Sequence, residues 1–207
     1  LDAFFVEEGE RAWWRYHIPT GQGEDISLSI AARMIPGENA VHLSFYRHPG
    51  CGQAGRLPDE RPVRIILRPD IEDRNFHETT KAFSGPEHQW PAAVSAGERE
   101  FTFAPAPERR LVVEISRGAY VPEPEWQYMV HHPQEAQRGQ DPDSDLFSPG
   151  YFSGPLVGGQ SEVLIARVAG EAAPDPKTAD ELRQRVVQFF EATPPKQAPV
   201  PALEKAL

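Results

Sequence analysis

A chain of 207 residues with 39% hydrophobic residues can bury a core without disulfides, and it is too apolar to be disordered. Its net charge of -10 argues against binding to nucleic acid or anionic membranes, since both depend on an excess of Lys and Arg. The single cysteine, Cys51, excludes an internal disulfide, and no apolar run approaches the ~20 residues of a membrane span. With no signal-peptide pattern, these features favour a cytoplasmic location.

Short strand-like segments dominate the first two thirds of the sequence. In chain order, the predicted strands are residues 13–18, 27–34, 41–45, 63–67, 100–103, 111–115 and 162–168. Turn signals separate them, among them Pro36-Gly37-Glu38-Asn39 and Ala96-Gly97-Glu98. The 22 prolines suit loops and sheet edges better than helix interiors. The pattern predicts a mainly β protein with an antiparallel β-sandwich.

One helix is predicted near the C-terminus. Thr178 and Glu181 form a capping box, in which their side chains satisfy each other's free backbone N–H groups. An apolar stripe follows at helical spacing, formed by Leu182, Val186, Phe189 and Phe190. We therefore expect a β-sandwich domain over residues 1–172, a docked helix over 173–193, and a Pro-rich linker over 194–207. The start at Leu1 and the Pro-rich end suggest a piece of a longer polypeptide.

Three segments carry recognisable motifs. They are residues 14–21 together with 35–41, residues 67–79, and residues 126–150. The second segment contains Arg74, an aromatic residue and His77 in close succession. The third contains Glu135-x-x-Arg138-Gly139 ahead of Asp-Leu-Phe-Ser-Pro-Gly at residues 145–150, and it is the most specific of the three.

Together the motifs resemble bacterial glycogen debranching enzymes of the amylo-alpha-1,6-glucosidase type. The resemblance implies a supersandwich of the galactose mutarotase-like class, followed in the same polypeptide by a catalytic (α/α)6 barrel that cleaves alpha-1,6 branches. The present chain corresponds to the sandwich. It departs from the pattern in the length of residues 139–145 and in Ser144, which stands where an acidic residue is expected.

Catalysis by this chain alone is not expected. A glycosidase needs two carboxylates flanking the scissile bond, and Glu135 and Asp145 are the best candidates because they flank the third motif. Arg138 beside them favours ion pairs that fix the loop instead. We expect a non-catalytic domain that supports the barrel and orients substrate, with loops in residues 131–150 lining the site.

Other chemistry is weakly indicated. His77 could act as the acid of a mutarotase-like sugar site, although a loop histidine more often bonds to backbone or to a carboxylate. His131 and His132 are adjacent and therefore diverge, and no Cys or His stands at zinc-like spacing from them. Neither a metal nor a cofactor is expected.

Aromatic residues suggest contact with sugar or with the catalytic domain. Trp13 and Trp14 are neighbours in a strand, so at least one should point away from the main core and suit a glycan or the barrel. The candidate contact residues are Trp14, Arg74, His77, Trp126, Glu135, Arg138, Asp145 and Phe147. The expected partners are the C-terminal catalytic domain and an alpha-glucan. An autonomous carbohydrate-binding module and, less favoured, a mutarotase-like enzyme are the alternatives.

Overall fold

A computed structural model describes residues 1–7, 11–35, 38–50, 52–75 and 78–168 of the chain. Cys51 and His77 lie outside the described residues, as do the predicted helix over 173–193 and the predicted linker over 194–207.

The described chain forms eleven strands, two short α-helices and one 3-10 turn. The strands are β1 (Ala3–Glu7), β2 (Arg11–Pro19), β3 (Asp25–Met34), β4 (Ala40–Arg47), β5 (Val63–Leu67), β6 (Val94–Ala96), β7 (Glu100–Ala106), β8 (Arg109–Ile115), β9 (Ala119–His131), β10 (Asp143–Leu156) and β11 (Ser161–Val168). The helices are α1 (Pro86–Ala92) and α2 (Pro133–Gln137), and the 3-10 turn spans Ala82–Ser84.

The strands form two antiparallel sheets. The larger has eight strands in the order β1-β2-β3-β4-β11-β8-β7-β6, and the smaller has three in the order β5-β10-β9. Strand β11 pairs with β4 on one side and β8 on the other. It therefore joins the N-terminal meander of β1 to β4 with the meander of β6 to β8, so the large sheet is complete only when β11 is in place.

The two sheets pack face to face around an aromatic core. The ring of Phe101 on β7 lies 5.8 Å from that of Phe152 on β10, and Tyr120 on β9 lies 5.2 Å from each of them. Phe101 and Phe152 have no exposed surface. Burial of each such ring contributes roughly 1.5–3 kcal/mol. These rings come from the two sheets, and the predicted mainly β fold with antiparallel sheets is confirmed.

Each strand predicted from the sequence lies within an observed strand, and residues 63–67 match β5 in full. The structure adds β1, β6, β9 and β10. The expectation of loops throughout residues 131–150 is wrong from Asp143 onward, because β10 begins there. Prolines hid β9 and β10 from sequence analysis, whereas β1 and β6 are only five and three residues long. Pro122 and Pro124 are tolerated because β9 lies at a sheet edge, and Pro149 because it lies at an irregularity in the pairing of β9 with β10.

A buried arginine anchors one end of the sandwich. Arg47, at the end of β4, is 1% exposed. Its guanidinium donates hydrogen bonds to the carbonyl oxygens of Leu57 at 3.1 Å, Pro58 at 2.9 Å and Leu156 at 3.2 Å, and to that of Arg61. A buried cation is tolerated only when its donors are satisfied, and here the acceptors are main-chain oxygens of one loop and of β10.

Candidate functional site

The second and third motifs lie side by side. Ile71 and Phe147 exchange backbone hydrogen bonds of 2.8 and 3.2 Å, and the Asp145 N–H donates to the carbonyl of Thr80 at 2.9 Å. Ile71 and Thr80 therefore both lie beside the first half of β10. Motifs that are far apart in sequence form one structural unit at this end of the sandwich.

Ser144 and Arg74 hold a carboxylate between the two motifs. The buried Ser144 hydroxyl donates to Glu72 and accepts the Thr80 N–H at 3.0 Å, while Arg74 Nε lies 3.2 Å from the same Glu72 carboxylate. Burial raises the pKa of Glu72, but the hydrogen bonds from Ser144 and Arg74 outweigh burial and leave the pKa below its usual value. A serine at position 144 suits this site because an acidic residue would face Glu72.

Asp145 fixes two backbone segments from a buried position. It is 4% exposed, and its two carboxylate oxygens accept the N–H groups of Ala82 at 2.8 Å and Met129 at 2.9 Å. The register of β9 and β10 is interrupted between Ser144 and Leu146, and Met129 opposite has a φ of 55°. Asp145 therefore satisfies an amide of a β-bulge and holds a residue in the left-handed region.

Glu135 and Arg138 occupy a separate, exposed position on and after α2. Arg138 lies 3.4 Å from Glu135, three residues earlier. An exposed pair of this kind contributes about 0–1 kcal/mol. The predicted ion pair therefore forms at Glu135. Asp145 binds two backbone amides instead, so the expected ion pair between Asp145 and Arg138 is wrong.

A stack of aromatic rings runs from the core to the surface beside Asp145. Trp126 lies 5.4 Å from Trp90 with an angle of 26° between ring planes, and 6.4 Å from Tyr128 with an angle of 18°. Phe147 lies 5.0 Å from Trp126 and is fully buried. Phe147 thus supports the stack from within the core, and its side chain is not part of a contact surface.

Tyr128 at the outer end of this stack is exposed, as are its chain neighbour Met129 and Phe83, which follows Ala82. Phe83 is 82% exposed, Tyr128 55% and Met129 64%. The Tyr128 hydroxyl donates to Glu87 of α1 at 2.7 Å, and Asp145 holds the amides of Ala82 and Met129. We call Phe83, Tyr128 and Met129 the apolar end surface, since one carboxylate holds both of the backbone segments that carry them.

The end of the third motif is a second irregularity in β10. The register with β9 shifts between Ser148 and Gly150, and the Tyr120 hydroxyl donates to the Pro149 carbonyl at 2.7 Å. Gly150 has a φ of 153°, and a Cβ there would lie 2.3 Å from the Val121 carbonyl oxygen. Only glycine fits this position without displacement of the neighbouring strand.

The family model described as "Glycogen debranching enzyme N terminal" matches residues 1–163, which include the three motifs and all of β1 to β10. The chain belongs to this family. No curated protein and no solved structure matches it. In this glycogen debranching enzyme N-terminal domain, the structure explains three residues of the Asp-Leu-Phe-Ser-Pro-Gly motif. Asp145 binds two backbone amides, Phe147 packs in the core, and Gly150 lies at an irregularity in strand pairing where only glycine fits.

The first motif of this debranching enzyme domain lies on the other sheet. Trp14 is half-buried and its ring lies 5.5 Å from that of Phe4. Trp13 packs with Val163 and Ile165, on the opposite sheet face from Leu164 of the main core. The prediction that one of the two tryptophans points away from the main core is confirmed. That residue, Trp13, is buried and does not offer the exposed ring that was expected.

Sequence analysis missed several residues of the site. Glu72, Phe83 and Met129 lie in segments without a periodic pattern, and nothing in the sequence indicates that Asp145 reaches the amides of Ala82 and Met129. In the described ranges, no group of three His, Cys, Asp or Glu side chains is arranged to hold a metal ion. None of the described helices has the length and apolar character needed to cross a membrane.

Proposed function

We propose that this domain is non-catalytic, and that it supports a C-terminal catalytic domain and orients alpha-glucan for cleavage of alpha-1,6 branches in the cytoplasm. Its sandwich is proposed to be of the galactose mutarotase-like supersandwich class. The observation that carries the proposal is the apolar end surface, which is built directly on the third motif.

The chemistry of this surface suits a protein partner. Aromatic residues and methionine are enriched at protein interfaces, whereas clustered exposed apolar side chains are uncommon on monomeric soluble domains. Asp145 holds the backbone of both participating segments, so the surface is preorganised and association costs less conformational entropy. A catalytic domain packed here would lie against the third motif.

The Trp126–Tyr128 stack supports a role in substrate orientation. Tyr128 presents an aromatic ring at the surface, backed by Trp126 and Trp90. Sugar rings present apolar faces that pack on such surfaces. Binding energy from contacts away from the scissile bond can be used to position that bond.

The carboxylates of the motifs favour a non-catalytic role. Asp145 is buried with both oxygens bound to backbone amides, Glu72 is bound by Ser144 and Arg74, and Glu135 is paired with Arg138. A general acid needs a carboxyl group that reaches the glycosidic oxygen, and a nucleophile or base needs free access to the sugar or to water. The carboxylates of Asp145, Glu72 and Glu135 are all bound by groups of this chain.

The test uses the full-length polypeptide that contains this chain. We compare Met129→Asp with Ile66→Asp, since the two side chains are 64% and 58% exposed at different places. The interface variant is expected to raise KM for branched dextrin several-fold or to lower the melting temperature of the catalytic domain, and the control to do neither. Equal effects of the two variants, or none from either, would refute the proposed surface.

An autonomous carbohydrate-binding module is the second candidate, and the stacked, exposed Tyr128 ring favours it. Affinity electrophoresis of residues 1–207 in glycogen gels separates the two candidates. Retardation that is lost in Tyr128→Ala and kept in Trp14→Ala indicates an independent module. Free migration of the isolated chain indicates that glycan contact, if it occurs, depends on the catalytic domain.

A further inference from the structure

Basic and hydroxyl side chains meet at one corner of the eight-stranded sheet, on the face turned away from the sandwich core. Trp13, Arg15 and His17 share one face of β2, and Trp13 belongs to the cluster outside the main core. On β3, Ser29 lies opposite Arg15, and Ser27 lies opposite His17. Directly opposite side chains of an antiparallel pair are neighbours, so these four groups form two adjacent rows of one surface.

The segment after β4 brings His48 and Arg56 to the same corner. The ring Nε2 of His48 lies 2.7 Å from the Ser29 hydroxyl, and Nη2 of Arg56 lies 3.1 Å from Nε2 of His17. A shallow cleft is lined by Ser27, His48 and Arg56 among others. The side chains of His17 and Arg56 are 44% and 25% exposed, so a small solute can reach the group.

The electrostatic potential at this corner favours an anion. Burial has the largest effect on the pKa of His48, and the charges of Arg15, His17 and Arg56 lower the pKa further. Each charge that shifts the pKa of this ring is therefore that of a basic group. An anion placed here meets a locally attractive potential, although the chain as a whole carries a net charge of -10.

Two carboxylates beside the group are already bound by donors. Asp2 accepts the His17 backbone N–H at 2.5 Å and lies 2.8 Å from Nδ1 of its ring. Asp25, which also lines the cleft, lies 2.5 Å from Nη1 of Arg56. A guanidinium only donates, so Nε2 of His17 accepts from Arg56 and its Nδ1–H donates to Asp2. His17 and Asp25 thus hold the Arg56 guanidinium in position from two sides.

Arg15 and Ser27 keep donors that nothing in the described chain accepts. The Nε of Arg15 is buried without a hydrogen-bond partner. Burial lowers the pKa of Arg15, and the negative charge of Asp2 offsets this only in part. The half-buried Ser27 hydroxyl forms no hydrogen bond within the described ranges. Buried donors without acceptors cost free energy, and a ligand that brings acceptor oxygens removes that cost.

We propose that Arg15, Ser27 and Arg56, which we call the basic corner, bind a phosphate-sized oxyanion, as the free ion or as the end group of a phosphate monoester. Arginine donates to oxyanions in a bidentate manner. Two guanidinium groups and a hydroxyl supply donors to several oxygens of a tetrahedral anion, whereas a carboxylate offers only two oxygens. The basic corner lies on the larger sheet and involves none of the residues of the apolar end surface, so this inference does not depend on the proposed function.

Titration of the 207-residue chain with inorganic phosphate tests the proposal, with the histidine ring resonances followed by NMR. The pH is fixed, and the ionic strength is held constant with chloride, because screening alone changes exposed charge interactions. The resonances of His17 and His48 are expected to shift in a saturable manner. Those of His88, which is exposed on α1, should not shift, and they report at the same time that the domain stays folded.

Variants locate the binding. Arg15→Gln should weaken phosphate binding by at least about five-fold, since it removes a charged donor. Ser27→Ala, which leaves every charge in place, should weaken it several-fold. The matched control is Arg64→Gln, which removes the same charge from an exposed position on β5, and it should leave the affinity unchanged.

A shift that never saturates, or equal affinity in Arg15→Gln and the wild type, would overturn the proposal. Acetate that binds as tightly as phosphate would also overturn it, because the site would then be one of general anion attraction. Methyl phosphate separates the two sources: equal or tighter binding identifies an esterified phosphate, and weaker binding identifies the free ion. If Arg15→Gln unfolds, Ser27→Ala decides by the same outcomes.

Discussion

Ser144 donates its hydroxyl to the Glu72 carboxylate, and this hydrogen bond joins two sequence motifs whose residues are 72 positions apart. Ser144→Asp places two carboxylates in contact where one was bound by a donor. We expect a loss of about 2–4 kcal/mol in the free energy of unfolding at neutral pH, measured by urea denaturation. The loss should shrink as the pH falls, since one of the two groups then becomes protonated and donates.

The double variant Ser144→Asp/Glu72→Gln is the control, because it restores one donor and one acceptor at the contact. It should recover more than half of the lost stability. Ser144→Ala removes only the hydroxyl and should cost about 1–2 kcal/mol. If Ser144→Asp proves as stable as the wild type at neutral pH, the contact with Glu72 does not hold the motifs together.

Gly150 and Gly139 both lie in the third motif, but their surroundings differ. A Cβ at Gly150 would lie 2.3 Å from the Val121 carbonyl oxygen, whereas one at Gly139 would meet nothing within 4 Å. Gly150→Ala should therefore cost about 3 kcal/mol or more, because the β9–β10 pairing must shift. Gly139→Ala should cost about 1 kcal/mol from backbone strain alone. Thermal unfolding of both variants checks the difference, and equal costs would contradict it.

Asp145 should contribute to stability through its hydrogen bonds, not through catalysis. Asp145→Asn keeps the shape but leaves one oxygen for the two amides of Ala82 and Met129. We expect a loss of about 2–3 kcal/mol, since a hydrogen bond to a charged group is replaced by two facing donors. Glu135→Gln, which breaks an exposed ion pair, should change stability by less than about 1 kcal/mol.

The readout for Asp145 is amide hydrogen exchange at Met129 together with urea denaturation. Exchange at Met129 should accelerate in Asp145→Asn and stay unchanged in Glu135→Gln. An Asp145→Asn variant that keeps slow exchange at Met129 would show that the carboxylate does not hold that amide.

His48 should make the stability of the sandwich depend on pH. Burial, with smaller effects of Arg15, His17 and Arg56, lowers the pKa of His48 to about 4. Its ring Nε2 lies 2.7 Å from the Ser29 hydroxyl. An unfolded histidine titrates near ~6.5, so between these values the unfolded chain binds more protons than the folded one. This group should therefore lower stability as the pH falls from about 6.5 to about 4, by up to about 3 kcal/mol.

Urea midpoints measured across that pH range test the assignment. His48→Gln should flatten the part of the slope due to this residue, while His88→Gln, an exposed histidine, should retain the wild-type slope. If His48→Gln keeps the full slope, the pH dependence arises elsewhere in the molecule.

The sequence predicts the strands that alternate regularly and misses those with bulges. Residues 41–45 of β4 alternate apolar and polar side chains, although His42 and Ser44 are buried as well, and β5 alternates half-buried with exposed positions. In β9 and β10 the register shifts between Ser144 and Leu146 and again between Ser148 and Gly150, and each shift breaks that period. Prolines in the same strands also imitate loops.

The candidate site was predictable as a location but not as an arrangement. The motifs point to residues 67–79 and 126–150, and these segments do meet. Which residues are buried there depends on long-range contacts, and the sequence pattern alone cannot assign Phe147 to the core or Asp145 to two backbone amides. Phe83 belongs to the apolar end surface because it follows Ala82, whose amide is bound by Asp145. Nothing in the sequence indicates that hydrogen bond.

Arg47 has a consequence for how the domain opens. Its guanidinium cannot lose its proton at any physiological pH, and it binds carbonyl oxygens of Leu57, Pro58 and Arg61 on one side and of Leu156 on the other. Release of the 57–61 loop would leave the buried Arg47 guanidinium without three of its four hydrogen-bond acceptors. Local fraying of this loop is therefore coupled to separation of β4 from β10, and proteases should cut there only when the whole domain unfolds.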